Sequence, residues 1–60
     1  MKVARIWYDG LDWCGYIEGE EHLNREINRR AEQVRLLEDL KGLGATHYRL
    51  QRATGKLVTL

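Results

Sequence analysis

The stretch that decides the fold is residues 2–17, KVARIWYDGLDWCGYI. Two runs rich in β-branched and aromatic residues flank Asp9-Gly10, the preferred central pair of a two-residue type I′ turn. Both positions of such a turn need a positive φ, which Gly10 adopts without steric cost. The stretch therefore predicts a β-hairpin over 2–17 in which Tyr8 lies opposite Leu11.

This register divides the side chains of the hairpin between two faces, because successive residues of a strand point to opposite sides. The apolar face carries Ala4, Ile6, Tyr8, Leu11, Trp13 and Ile17. The opposite face carries Val3, Arg5, Trp7, Asp12, Cys14 and Tyr16. The apolar face is the one expected to be buried.

Residues 20–41 are predicted to form one amphipathic helix, since apolar residues recur there at three- and four-residue steps. The stripe consists of Leu23, Ile27, Ala31, Val34, Leu37 and Leu40. Gly42 is the natural residue to end the helix in the left-handed conformation, and Gly44 is a second possible stop.

Residues 46–60 predict a second hairpin with two possible turns. A two-residue Thr54-Gly55 turn separates polar from apolar residues poorly. A three-residue loop over 53–55, with Gly55 at positive φ as a bulge, pairs Leu50 with Val58 and is favoured. It gathers four apolar residues on one face, namely Tyr48, Leu50, Val58 and Leu60.

The three apolar surfaces are buried together only if the helix lies across one face of a sheet built from both hairpins. The sequence therefore predicts an α+β fold with two layers and ββαββ order, forming a single domain over 1–60. The sheet is antiparallel or mixed, and its strand order stays open.

Composition and length indicate that the chain needs help to be stable. A sixty-residue chain buries only about 60% of the surface that its unfolded form exposes. Cys14 is the only cysteine, which excludes an internal disulfide and points to a reducing, cytoplasmic setting. No stretch approaches the ~18 apolar residues of a membrane span. A homodimer is the expected source of added stability.

The net charge of +1 hides an uneven distribution of charge. Residues 1–24 carry a net −3 and residues 40–60 a net +4. Such an asymmetry can steer a charged partner or pair two copies head to tail. The alternative is that both ends are simply solvated.

The sheet face away from the predicted helix, called the outer face below, is the main candidate for binding, because no further element is predicted to cover it. Trp, Tyr and Arg are the residues enriched at binding hot spots. The predicted binding residues are Arg5, Trp7, Tyr16, His47, Arg49 and Gln51. The alternative is that these side chains only stabilise the sheet through cross-strand pairs.

Catalysis is not indicated by the inventory of reactive groups. A two-layer domain of this size has little room for a pocket of the usual ~300 Å³ or more. Cys14 and His47 are the one candidate thiol–imidazole pair. With His22, which is expected to face solvent, they show no metal-ligand spacing. We therefore expect no catalytic residue, metal or cofactor.

One resemblance to a known family concerns residues 44–59. Gly44-Ala45-Thr46-His47-Tyr48, followed by Gly55-Lys56-Leu57-Val58-Thr59, resembles the Gly-Ser-His-His and Val-Thr-Val strands of small ribonuclease toxins of the HicA type. The resemblance implies a relation to double-stranded-RNA-binding folds and a role for His47 in RNA cleavage. Tyr48 stands where the family has its second histidine, and a hairpin precedes the helix here.

Three functions follow, in order of preference. The first is a non-catalytic module that binds a protein stoichiometrically, as the small inhibitors of phages and mobile elements do with larger host machines. The second is a small protein that binds nucleic acid on the open sheet face. A pI of about 7.9 argues against it, because dedicated nucleic-acid binders usually exceed a pI of about 9. The third is the HicA-like ribonuclease with His47.

Overall fold

The computed structural model describes residues 1–19, 27–51 and 56–60. One helix packs on a mixed five-stranded sheet whose strand order is β3-β2-β1-β4-β5, so the predicted two-layer α+β class is confirmed. Strands β1 and β4 run parallel, and the other neighbouring pairs are antiparallel. The elements are β1 Val3–Tyr8, β2 Trp13–Ile17, β3 Asn28–Arg30, α1 Gln33–Gly42, β4 His47–Leu50 and β5 Val58–Thr59.

The core lies between α1 and the sheet, with the helix packed against β2 and β3. Gly15 permits this close approach. A Cβ atom there would lie 2.9 Å from Ile6 Cγ2 and 3.0 Å from Leu40 Cδ1, which is closer than carbon atoms pack. The buried core consists of Ala4, Ile6, Ile17, Leu36, Leu40 and Ala45, with Trp13, Leu37, Tyr48 and Leu60 packed against it.

The prediction of one helix over 20–41 is wrong in its first half. Residues 28–30 form an edge strand along β2, and α1 begins only at Gln33. Ile27 and Val34, which were predicted to be in the buried stripe, are 42% and 58% exposed. Leu40 is buried as predicted, whereas Leu36, which lay outside the predicted stripe, is buried as well. Residues 20–26, including Leu23 and His22, lie outside the described residues.

Backbone pairing with β2 and two ion pairs hold β3 at the edge of the sheet. Arg29 Nη1 lies 2.6 Å from Asp9 Oδ2, and Arg30 Nε lies 2.6 Å from Asp39 Oδ2 on α1. These contacts and the backbone pairing with β2 come from tertiary structure, which commonly overrides a weak helical preference.

The last residue of α1 is Gly42, and the left-handed residue that stops the helix is Gly44, the second of the two predicted stops. Gly44 has φ +104°, whereas Gly42 remains helical, so the first choice is wrong. The Gly44 amide donates to the Lys41 carbonyl at 3.0 Å, and the Ala45 amide donates to Leu40 at 3.1 Å. These two bonds are the Schellman arrangement, and the buried Ala45 and Leu40 supply its hydrophobic contact.

The first hairpin has a longer loop than the predicted type I′ turn. Tyr8 pairs with Trp13 and not with Leu11, so the loop spans 9–12. The Asp9 carboxylate organises this loop by accepting the amide hydrogens of Leu11 and Asp12, each at 2.8 Å. Gly10 has φ +105°, which confirms its predicted positive φ. Because the register moves by two residues, the side chains that remain in the two strands keep their predicted faces. The predicted burial of Leu11 and Tyr8 is wrong, since Leu11 lies in the loop and is 82% exposed and Tyr8 is 54% exposed at the end of β1.

The second hairpin is also shifted by two residues. Tyr48 pairs with Val58, whereas the favoured turn placed Leu50 there. Leu50 and Val58 are each 42% exposed, so only Tyr48 and Leu60 of the predicted apolar face reach the core. Residues 52–55, and with them the predicted φ of Gly55, lie outside the described residues.

Candidate binding surface

Five of the six predicted binding residues share the outer face of the sheet. Arg5 and Trp7 alternate along β1 with the buried Ala4 and Ile6, which face the helix, so they point to the other side. The pairing places both Tyr16 of β2 and Arg49 of β4 opposite Arg5.

Two of the six predicted residues, His47 and Gln51, lie towards the ends of β4. His47 is opposite Val3 at the start of the strand, and its Nδ1 lies 2.8 Å from the Thr46 hydroxyl. Gln51 follows the strand, where its amide donates to the Ile6 carbonyl at 2.9 Å, and its exposed side chain is on the rim of a cleft described below.

Glu18 joins the two arginines into one ion-pair cluster, called the arginine–glutamate triad below. Glu18 Oε2 accepts from Arg5 Nε at 3.0 Å and from Arg49 Nε at 2.7 Å, and Oε1 accepts from Arg49 Nη2 at 2.6 Å. The three side chains are 22–35% exposed. Hydrogen bonds from Arg49 and then Arg5 lower the pKa of Glu18, despite the opposing effect of its burial.

Glu18 was missed by the sequence analysis, although a simple signal marks it. It lies two residues beyond Tyr16 in the same strand direction, so strand alternation already places it on the outer face. Its amide donates to the Val3 carbonyl at 2.8 Å, which continues the pairing of β1 with β2 past Ile17. This bond holds the carboxylate beside the arginines.

Trp7 and Tyr16 form the aromatic part of the outer face. Their ring centroids are 5.8 Å apart and the planes meet at 68°, an edge-to-face contact. Both side chains are half-buried. The pair therefore stabilises the β1–β2 ribbon and still presents ring surface to solvent.

The candidate thiol–imidazole pair does not form. Cys14 is opposite Trp7 and His47 is opposite Val3, an offset of about 13 Å along β1, and the two residues also lie on strands on either side of β1. The Cys14 thiol is fully buried and donates to Asp9 Oδ2 at 3.5 Å. Burial, followed by the bond to Asp9, raises the pKa of this thiol, which makes it a poor nucleophile.

An open cleft of about 560 Å³ lies where β1 and β4 end, so the expectation that the domain has little room for a pocket is wrong. Its walls carry apolar and aromatic groups, one amide and one phenol, but no carboxylate, imidazole or thiol. The residues that line the cleft are Ile6, Trp7, Tyr8, Trp13, Leu50 and Gln51. This lining suits apolar contact better than acid–base chemistry.

Within the three described stretches of the chain, no three His, Cys, Asp or Glu side chains are grouped as metal ligands would be. The same stretches contain no helix of the length and apolarity needed to cross a bilayer. Comparison with protein-family models, with curated proteins and with solved structures gave no match to this chain.

Proposed function

We propose that this chain is a non-catalytic module that binds a partner protein stoichiometrically through the outer face of its sheet. One observation carries the proposal. The outer face brings together Arg5, Trp7, Tyr16 and Arg49, and no element of the described residues packs over them, since α1 lies against the opposite face. Tryptophan, tyrosine and arginine are the side chains that dominate binding energy at protein interfaces.

The pairing of the arginines favours a protein partner over nucleic acid. Arg5 and Arg49 share Glu18, Arg29 is paired with Asp9, and Arg30 with Asp39. A nucleic-acid binder relies on cations that are free to neutralise successive phosphates. Three carboxylates neutralise three of these four guanidinium charges, so these groups together keep a single net positive charge and not a row of free cations. Nucleic-acid binding is therefore the second candidate, and the HicA-like ribonuclease with His47 the third.

A second copy of the chain is one form that the protein partner can take. Leu50, Leu57 and Val58 are each at least 40% exposed, and the described core is small. Exposed apolar side chains near an edge strand favour association. An inhibitor of a larger machine would act in the same way, by occupying a surface that the machine needs.

The test compares Trp7→Ala with Val34→Ala. Val34 is 58% exposed on the helix, on the other side of the sheet, so it serves as a matched surface truncation. We expect the parent and Val34→Ala to capture the same proteins from a lysate. Trp7→Ala should fail to capture them. If self-association is the function, sedimentation velocity should show the same pattern.

Equal capture and equal sedimentation by all three proteins would contradict the proposal, provided that far-UV spectra show them folded. Capture of RNA or DNA with a steep salt dependence would favour the second candidate. Cleavage of RNA that is abolished by His47→Ala would favour the third.

A further inference from the structure

We infer that the partner presents a carboxylate to the arginine–glutamate triad, with Arg5 as the residue that binds it. The inference rests on the proposed function and names the chemistry of the partner, an acidic protein segment. Two guanidinium groups and one carboxylate give the triad a net charge of +1. One further carboxylate makes the cluster neutral.

The two arginines are not equivalent. Arg49 donates from both Nε and Nη2 to the two oxygens of Glu18, a bidentate pair that fixes its plane. Arg5 donates to Glu18 from Nε alone. Toward the residues that the structure describes, the two terminal nitrogens of Arg5 make no hydrogen bond. Arg5 therefore retains the pair of donors that binds a carboxylate.

The surroundings of Arg5 suit an acidic peptide. Arg5 lies in the centre of a row across three strands, between Tyr16 on β2 and Arg49 on β4. Trp7 is two residues along β1 on the same face and touches Tyr16. An acidic side chain can thus reach the guanidinium while its neighbours contact the aromatic rings. The edge-to-face geometry of those rings is less suited to stacked bases.

The experiment titrates the full chain with a hexaglutamate peptide at low ionic strength and follows the side-chain resonances of Arg5 Nε and of the Trp7 and Trp13 indoles by NMR. We expect saturable shifts at Arg5 and Trp7 and none at Trp13, which faces the helix side. Arg5→Gln should weaken binding about tenfold or more, because it removes a charged bidentate contact.

Three further variants separate a defined site from general charge. Arg35→Gln makes the same change on an exposed helix position and should alter the affinity less than about twofold. Arg5→Lys keeps the charge but removes the planar pair of donors, so its affinity for hexaglutamate should lie between those of the parent and of Arg5→Gln. Glu18→Gln removes the competing carboxylate and should tighten binding about threefold.

The inference is overturned if hexaglutamate causes no shift at Arg5, or if Arg5→Gln and Arg35→Gln weaken binding equally. Tighter binding of an oligothymidylate of the same charge would overturn it in favour of nucleic acid. If Trp7→Ala still abolishes capture of a protein partner while hexaglutamate does not bind, the inference fails and the proposed function stands.

Discussion

The two faces of strands β1 and β2 are built from alternating residues of the same stretch, yet they are held by different forces. On the face toward the helix, Ala4, Ile6 and Ile17 are buried in one cluster with Leu36 and Leu40. On the outer face, the side chains of the arginine–glutamate triad and of Trp7 and Tyr16 are only half-buried, and they meet through ion pairs and one aromatic contact.

The difference between the two faces separates the residues that stabilise the fold from those that are available for binding. Burial of an aliphatic side chain contributes about 1.5–3 kcal/mol, whereas a solvent-exposed ion pair contributes about 0–1 kcal/mol. The helix side therefore carries most of the folding free energy. Little of the folding free energy comes from the outer face, so its side chains are available for binding.

The largest effect is expected from Leu40→Ala. The side chain is fully buried, and truncation of a buried leucine costs about 2–5 kcal/mol. A domain of this length has roughly 5 kcal/mol in total, so the variant should be largely unfolded. Urea denaturation followed by far-UV circular dichroism measures the change. A loss below about 1 kcal/mol would show that α1 does not supply the core.

Gly15→Ala tests the closeness of the helix to the sheet. Its new methyl group would meet Ile6, Leu40 and the Arg5 carbonyl at 2.9–3.1 Å, and such overpacking costs about 1–3 kcal/mol. Gly42→Ala is the matched control, because nothing lies within 4 Å of its Cβ and its φ is helical. The control should be neutral or stabilising by up to about 1 kcal/mol. Equal thermal midpoints for the two variants would contradict the packing described.

The triad should give a smaller, pH-dependent effect. Because the folded pKa of Glu18 lies below its unfolded value, its contribution is present above the unfolded pKa of about 4.5 and is lost as the pH falls through the folded pKa. Glu18→Gln should therefore destabilise the domain by roughly 1 kcal/mol at neutral pH. The difference should shrink in acid.

Glu38→Gln, at an exposed helix position, is the control for Glu18→Gln. Urea denaturation at low ionic strength across the acid range measures both variants, because urea is uncharged and does not screen the ion pairs. A difference between parent and Glu18→Gln that is constant with pH would show that the ion pairs do not contribute in solution.

Much of this two-faced arrangement was predictable from the sequence. In both hairpins the predicted register differs from the observed one by two residues, and a shift of two leaves each side chain on its face. Alternation of apolar and polar residues therefore placed Arg5, Trp7 and Tyr16 correctly. Loop length was not predictable, because the Asp9 carboxylate, and not the preferred turn pair, sets the loop over 9–12.

The start of the helix was not predictable for a different reason. Apolar spacing continues through Ile27 and Val34, but the ion pairs of Arg29 and Arg30 with Asp9 and Asp39 exist only once the chain is folded. A local pattern carries no information about them. The contacts of the arginine–glutamate triad were not predictable for the same reason. Strand alternation places Glu18 on the outer face but does not show which arginines it contacts.

The most direct test of the two-face account compares the two tryptophans in one set of samples. Trp13 packs against the core, so Trp13→Ala should cost about 2 kcal/mol or more and lower the thermal midpoint strongly. Trp7→Ala should cost less, because its ring is only half-buried and its aromatic contact adds about 0.5–1.5 kcal/mol, and it should keep the fold while losing association with the partner. If Trp7→Ala unfolds the domain, or stays folded and associates as the parent does, the outer face is not the binding surface.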